Sequence, residues 1–463
     1  MKNGHLVQFL VRRRDVIVHV FESGHWQSWR KEQNETGKRE ITLEKPARPL
    51  EKALNPIIIG AGGVGAVIAH KAAQNNSVFG EITIATRTRE RADRVVSTID
   101  GRNNRQVSSG AIRTRTIDAK DTASLVKLIH ETGAGLVMNA SSTHTHLAVM
   151  EACLETGAHY LDTSVYEKEG EENAPAPWYQ NYEWRLKDRF AEKSVTALLS
   201  IGFDPGVVNV FCRKAQNDYF DEIHEIDILD VNAGDHGRYF ATNFNPEINL
   251  REIKEDVVYW ENGAWRKIPP HSKSLEYDFP NVGRHHLYSV GHDELHSLYK
   301  NIPARKIEFW MGFSEHYLHV FDVLDKLGLL SSVPVDVEGI ALPPIKMIKA
   351  LLPDPASLAD GYTGEVCIGC RISGRHKGRP RTVFIYSTCE HATCFKDVGS
   401  QAISYTTGVP AVAAALTLAQ GPWNVGRMVN VEELDPDPYL ANLQKLGIDW
   451  KIREDEPTWA SHK

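Results

Sequence analysis

From Pro56 onward, short apolar runs alternate with segments whose apolar residues recur every three to four positions. The runs cover residues 57–60, 82–86, 113–118, 136–140, 159–162 and 195–199. The first, Ile57-Ile58-Ile59, is wholly β-branched, as suits a strand covered on both faces. Segments such as 122–132 and 145–156 carry helical spacing between them. Six strands separated by helices predict an α/β fold, a doubly wound parallel Rossmann sheet with right-handed connections. After Gly202-Phe-Asp-Pro-Gly206 the pattern lengthens. Alternating stretches at 225–231, 259–268, 307–313 and 364–372 predict a second, mixed α+β domain. The Ala-rich stretch 401–418 reads as a helix returning to the first domain.

These patterns divide the 463 residues into four parts. Residues 1–55 read as a weakly ordered extension, because Arg12-Arg13-Arg14 interrupts their apolar positions and 26–44 lacks a sustained period. Residues 56–205 with about 398–425 form the nucleotide-binding domain, 206–397 a substrate and dimerisation domain, and 426–463 a C-terminal tail.

The first strand runs into Gly60-Ala-Gly-Gly-Val-Gly65, and Val64, Val67, Ile68 and Ala72 continue at helical spacing. Strand, glycine turn and helix in that order bind a dinucleotide. Gly60 makes the turn, Gly62 admits the pyrophosphate, and Gly65 lets helix and strand pack closely. Gly63 and Val64 belong to the same phosphate-binding turn, whose free N–H groups favour anions. The second strand ends in Arg87-Thr88-Arg89 where an NAD site usually offers an acidic residue. Arg87 and Thr88 suit a ribose 2′-phosphate, so NADP(H) is the expected cofactor. Ligands of such sheets lie beyond the carboxyl ends of the strands. That places Asn139, Ala140, Ser141, Asp162, Thr163, Ser164, Gly202 and Phe203 near cofactor or substrate.

Charge and composition narrow the classes. The net charge of −7 leaves no nucleic-acid footprint. Residues 1–55 hold 11 Lys/Arg against 7 Asp/Glu, so the remainder carries −11 (42 minus 53). An acidic body is compatible with a cationic substrate. No apolar run approaches the ~20 residues of a membrane span, and no secretory signal is evident, so a cytoplasmic location is expected. Cys367-x2-Cys370 and Cys389-x4-Cys394, with His391 nearby, raise a zinc reading. The first pair lies in a predicted strand and the second spacing is loose, so the cysteines read as small buried residues and no metal is expected. His292 and His296 stand at i, i+4 and read as a surface helix pair. Cys153, on a helix with Val149 and Leu154, reads as core.

Longer motifs carry a resemblance. Met150-Glu-Ala-Cys-Leu154 with Tyr160-Leu-Asp-Thr163, Gly202-Phe-Asp-Pro-Gly206 and Asn232-Ala-Gly-Asp-His-Gly237 belong to it. So do Ala241-Thr-Asn-Phe-Asn-Pro-Glu-Ile-Asn249, Val398-Gly-Ser-Gln-Ala-Ile-Ser-Tyr-Thr-Thr-Gly408 and Asn430-Val-Glu-Glu-Leu-Asp-Pro-Asp-Pro438. From Pro56 onward the chain resembles the saccharopine dehydrogenase-like reductases, most of all their carboxynorspermidine (carboxyspermidine) synthase branch. The resemblance implies condensation of aspartate β-semialdehyde with 1,3-diaminopropane or putrescine, followed by NADPH reduction of the imine. It departs at Ser141-Ser-Thr-His-Thr-His146, where the family usually has an apolar-aromatic loop.

That chemistry needs a proton donor and fixed anions beside a cationic acceptor. Asp235 and His236, between two glycines after a strand, are the expected catalytic pair, with a capped turn as the alternative. Asp204, Arg238, Asn243, Asn245 and Arg251 are the expected substrate-binding residues. Arg238 and Arg251 would clamp a carboxylate, and Asp204 has a turn role as its alternative. A symmetric homodimer is the default assembly. The competing readings are a saccharopine-type reductase, whose substrate is anionic at both ends, and a non-catalytic NADP-binding redox sensor.

Overall fold

The computed structural model describes residues 53–102, 111–169 and 176–456, together with the backbone of four strands before them. A seven-stranded parallel sheet forms the first domain. Its order across the sheet is Met428–Asn430, Ala197–Leu199, His159–Asp162, Leu136–Asn139, Ile57–Ile59, Ile82–Thr86, Ile112–Thr116. Six of these are the strands that periodicity predicts, reversing direction of travel at Ile57–Ile59 as a dinucleotide fold requires. Helix Ala402–Ala419 lies against helix Gly63–Gln74, close enough that a methyl on Gly408 would meet the Val67 side chain. It is the one described helix long and apolar enough to cross a membrane, and it is buried in the core.

The second sheet has nine strands, with Glu222–Asn232 at its centre. That strand pairs parallel to Lys306–Gly312 and antiparallel to Glu365–His376. Ile226 and Ile228 face the large core shared with the first domain, whereas Leu229 and Val231 face a smaller cluster with Trp310 and Phe384. Cys370 joins the first of these clusters and Cys367 the second, so the two thiols point to opposite faces of one sheet. Among the described residues all six cysteines are free and buried, and no His/Cys/Asp/Glu group is arranged to hold a metal.

Two expectations are corrected. The stretch 259–268 is a hairpin, Val257–Glu261 with Ala264–Ile268, turning at Asn262 (φ 50°) and Gly263 (φ 79°). An Asn-Gly pair with both residues left-handed matches the twist of a two-residue hairpin. The segment after 426 is no tail: it adds Met428–Asn430 to the first sheet and Lys451–Asp455 to the second. Edge strands this short carry too few residues for a period to register. Within the extension, strands Leu6–Arg12, Asp15–Glu22, His25–Gln33 and Arg39–Glu44 form an antiparallel meander. Its β-branched run Val16-Ile17-Val18 suits a strand despite the charges around it.

Candidate active site

The phosphate-binding turn shows three glycines doing three jobs. Gly60 has φ +106° and lies so close under the Ala140 carbonyl that no side chain fits. A methyl on Gly65 would overlap the Gly60 carbonyl oxygen. Gly62 caps helix Gly63–Gln74 with no side-chain hydrogen bond, and a methyl there would meet nothing within 4 Å. The open side of Gly62 and the uncapped N–H groups of Gly63, Val64 and Gly65 fit a pyrophosphate. Arg87 and Thr88 are exposed just past Ile82–Thr86, and Thr88 begins helix Arg89–Gly101 without capping it through its hydroxyl. Arg87 has no hydrogen-bond or ion-pair partner among the described residues, in contrast to Arg89, which lies 3.7 Å from Asp93.

Several residues expected to touch the cofactor are instead engaged inside the protein. Asn139 is buried, and its Oδ1 accepts from the Ser141 hydroxyl at 2.7 Å while its Nδ2 donates to Thr145 at 3.2 Å. It therefore shapes the 141–146 loop. Asp162 is buried, accepting from the Tyr160 hydroxyl at 2.8 Å and from the Ser200 amide. Burial pushes its carboxyl up to about 7. Phe203 packs in the core against Phe211, with ring centroids 6.2 Å apart. Ala140, Ser141, Thr163 and Ser164, at the ends of the strands, are half-buried, and Gly202 is buried. Cys153 is buried, and its thiol is pushed up by burial.

The loop expected to be catalytic builds a turn. The Asp235 carboxylate accepts from the Gly237 amide at 2.7 Å and is exposed. His236 Nδ1 accepts from the Arg238 amide at 3.0 Å, and its ring meets Tyr362 edge-on at 5.5 Å. Burial lowers its pKa despite Asp235 beside it. Arg238 is exposed. Asn243 accepts from the Tyr362 hydroxyl at 2.8 Å, and that hydroxyl accepts from Asn232 at 2.7 Å. His391 stacks on Tyr362 at 3.6 Å, and its Nδ1 accepts from the Ala402 amide. Asn245 caps helix Pro246–Lys254 by accepting from the Glu247 amide at 3.1 Å. Arg251 is no free clamp, because Glu167 and Glu255 hold it.

A second constellation, of whose carboxylates sequence reasoning named only Asp204, lies where the two domains meet. Asp204 comes from the turn after strand Ala197–Leu199, and Glu167 from the loop after His159–Asp162. Asp230 comes from the central strand of the second sheet, Glu252 from helix Pro246–Lys254, and His292, Asp293 and Glu294 from the turn before helix Leu295–Asn301. Burial raises the Asp204 carboxyl well above its usual range, and Asp230 and Glu294 raise it further. Burial likewise raises Asp230, with Glu294 adding to it. Burial pushes Glu252 up to about 8, with Asp293 and Glu167 contributing, and Asp293 up to about 6. His292 goes the other way from most buried imidazoles. Burial disfavours its charge, but Glu294, Asp204 and Glu252 outweigh that and raise it well above its ordinary value. Asp230 Oδ1, Glu252 Oε2 and Glu294 Oε1 are buried with no hydrogen-bond partner. Three unpaired carboxylate oxygens in one buried place ask for a cation.

The 141–146 loop borders this pocket. Thr143 donates to Glu167 at 3.0 Å and His144 Nδ1 lies 2.7 Å from its carbonyl oxygen, so Glu167 is held between the loop and Arg251. His292 is half-buried in a turn and His296 is buried in the helix that follows, so the two do not form a surface helix pair. His292 stacks on Phe309 at 3.9 Å and His296 on Trp178 at 4.1 Å. One signal for the pocket was available: Asp230 continues the row of Ile226 and Ile228, a charge at a core-facing strand position. Glu252 and Glu294 carried none.

Residues 57–198 match the family model of the saccharopine dehydrogenase NADP binding domain, and residues 202–448 match that of its C-terminal domain. The chain belongs to the saccharopine dehydrogenase family. As a member of the saccharopine dehydrogenase family it is an oxidoreductase with a nicotinamide-cofactor domain. It is 48% identical over 400 residues to the carboxynorspermidine synthase of Vibrio alginolyticus, covering 86% of this chain and 97% of that one. It is 44% identical over 395 residues to the carboxyaminopropylagmatine dehydrogenase of Synechocystis sp., covering 85% and 96%. Apo saccharopine dehydrogenase (L-Glu forming) from Saccharomyces cerevisiae shares the fold, with TM-score 0.63, 16% identity, and 87% of this chain and 100% of that one covered.

Proposed function

We propose that this saccharopine dehydrogenase-family protein uses NADPH to condense an amino acid semialdehyde, aspartate β-semialdehyde, with a cationic amine and reduce the resulting imine. The observation that carries this is the buried carboxylate set Asp230, Glu252 and Glu294 with unpaired oxygens. A glutamate co-substrate, as in saccharopine formation, would be repelled there, whereas a diamine would pair its ammonium groups with those oxygens. The relatives named for carboxynorspermidine and carboxyaminopropylagmatine agree with an amine partner. A redox sensor has no use for such a pocket.

The glycine turn would hold the pyrophosphate, and Arg87 with Thr88 would hold the 2′-phosphate. The reduced nicotinamide, when bound, supplies a hydride to the imine carbon. The protein's own residues bind and orient the amine and exclude water, and the pocket carboxylates take up the proton that an ammonium must lose before it can attack a carbonyl. Asp204 and Glu167 come from loops at the carboxyl edge of the sheet, the edge where a bound dinucleotide would lie.

The decisive experiment follows NADPH oxidation with aspartate semialdehyde and a panel of 1,3-diaminopropane, putrescine, agmatine and glutamate. Turnover with an amine and none with glutamate is the expected result. Glutamate as the preferred partner, or no turnover with any member, would refute the proposal.

The working unit is proposed to be a homodimer. Among the described residues, eight of the ten exposed large hydrophobic side chains fall within residues 323–351. That stretch contains a two-stranded sheet, Val335–Val337 with Ile340–Leu342, whose outer edges pair with no other described strand. Val337 and Ile340 are 52% and 67% exposed. A lone apolar hairpin is unstable in water, and a twofold copy covers it with its own like surface.

A further inference from the structure

His292 sits between strand Gly283–Val290 and helix Leu295–Asn301. Its ring stacks on Phe309 with centroids 3.9 Å apart and planes 10° from parallel. Its Nδ1 lies 2.5 Å from Glu294 Oε2. Stacking fixes the ring plane and Glu294 takes up Nδ1, so Nε2 is the one position left, with no protein partner among the described residues. Asp293 and Glu294 face the ring from its own turn, Asp204 from the Gly202–Gly206 turn, Asp230 from the central strand, Glu252 from its helix, and His296 from the next helical turn. Carboxyl groups outnumber imidazoles around it.

We propose that His292 is the acid that protonates the departing oxygen when amine and aldehyde condense, with Glu294 as its positioning partner. This rests on the function proposed above. The bound ammonium first gives a proton to a pocket carboxylate. Its nitrogen lone pair then forms the C–N bond, and the carbonyl π pair moves to oxygen. A proton passes from that nitrogen to the oxygen, giving a neutral carbinolamine. His292 Nε2–H protonates the hydroxyl, the C–O pair leaves with water, and the nitrogen lone pair closes the protonated imine. Once the imine carbon is reduced, the secondary amine takes back the carboxyl's proton, and His292 is recharged from solvent. One proton is consumed per turnover. A carboxylate-held imidazole keeps its charge at neutral pH and presents its second nitrogen to the reacting atoms, which is the requirement for a general acid.

The test compares wild type, His292→Asn and Glu294→Gln under saturating aldehyde and amine, following NADPH oxidation across pH. His292→Asn should lose on the order of 10²-fold in kcat, with NADPH affinity unchanged and amine KM not raised. Added imidazole should restore part of the His292→Asn rate. In Glu294→Gln the alkaline limb of kcat should move to lower pH, because the imidazolium has lost its nearest anion. A kcat within about threefold of wild type in His292→Asn, or a loss confined to amine KM and not relieved by imidazole, overturns the assignment. Where His292→Asn does not fold, an unmoved alkaline limb in Glu294→Gln overturns it instead. A wild type inactive with every amine refutes the function itself, whereas an active wild type with an unaffected His292→Asn refutes only the role of His292.

Discussion

Asp293 of the second domain accepts a hydrogen bond at 3.3 Å from the backbone amide of Val165, in the loop leaving the fifth strand of the first. The bond ties the nucleotide-binding sheet to the turn that carries His292 and Glu294. The carboxylate pocket is therefore built on two domains at once, and variants in it should separate amine handling from cofactor handling.

Glu252→Gln keeps shape and removes the carboxyl that can ionise against a bound ammonium. Amine KM should rise about tenfold or more, the scale of one charge-assisted contact of ~1.5–3 kcal/mol. NADPH affinity, read by fluorescence, should stay within twofold. A parallel loss of both would mean that the residue supports the fold and not the amine.

Stability should fall as pH rises from neutral. Glu252 and Asp162 hold protons in the folded state up to about 8 and about 7, far above their unfolded values. Their contribution is present at low pH and is lost as pH rises through those folded values. Buried His146 and His296, lowered by burial to about 3, and His70 and His391, lowered to about 4, act oppositely, but only below about pH 6.5. From pH 6.5 to 8.5 the carboxylates act without that opposition, so the melting temperature of the free protein should drop. A saturating diamine should flatten the slope. An equal slope with and without diamine would place the amine elsewhere.

Arg87→Asp should weaken NADPH at least tenfold and spare or improve NADH, since the 2′-phosphate loses its cation and a ribose hydroxyl gains an acceptor. The ratio of kcat/KM for the two cofactors is the readout. An unchanged ratio would remove Arg87 from the cofactor site.

Gly65→Ala should cost at least about 1–3 kcal/mol, because the added methyl meets backbone rather than a movable side chain. Gly62→Ala, facing open space, should keep its melting temperature yet bind NADPH worse. Equal effects on stability would deny the turn its division of roles.

Val337→Asp with Ile340→Asp should turn a dimer into a monomer in sedimentation without lowering the melting temperature of the monomer. A monomeric wild type would refute the proposed assembly.

The sequence alone determined the nucleotide half. Glycine spacing, β-branched strands and helical periods are local signals, and each glycine's role follows from backbone sterics within a few residues. It also marked residues 364–372 as a strand of the second domain, within the observed Glu365–His376, because alternation is local too. It did not distinguish a residue at a strand's end from one that reaches a ligand. Asn139, Asp162 and Phe203 follow the right strands, yet the packing of neighbouring loops turns them inward. Asp235 and Asn245 looked available because polar turn residues and polar ligand contacts share one composition. Only tertiary structure assembled the pocket. Asp204, Asp230, Glu252 and Glu294 span ninety positions and come from a turn, a strand, a helix and a loop. Charges that distant meet no pattern rule, and burial, which gives them their meaning, exists only once two domains have closed around them.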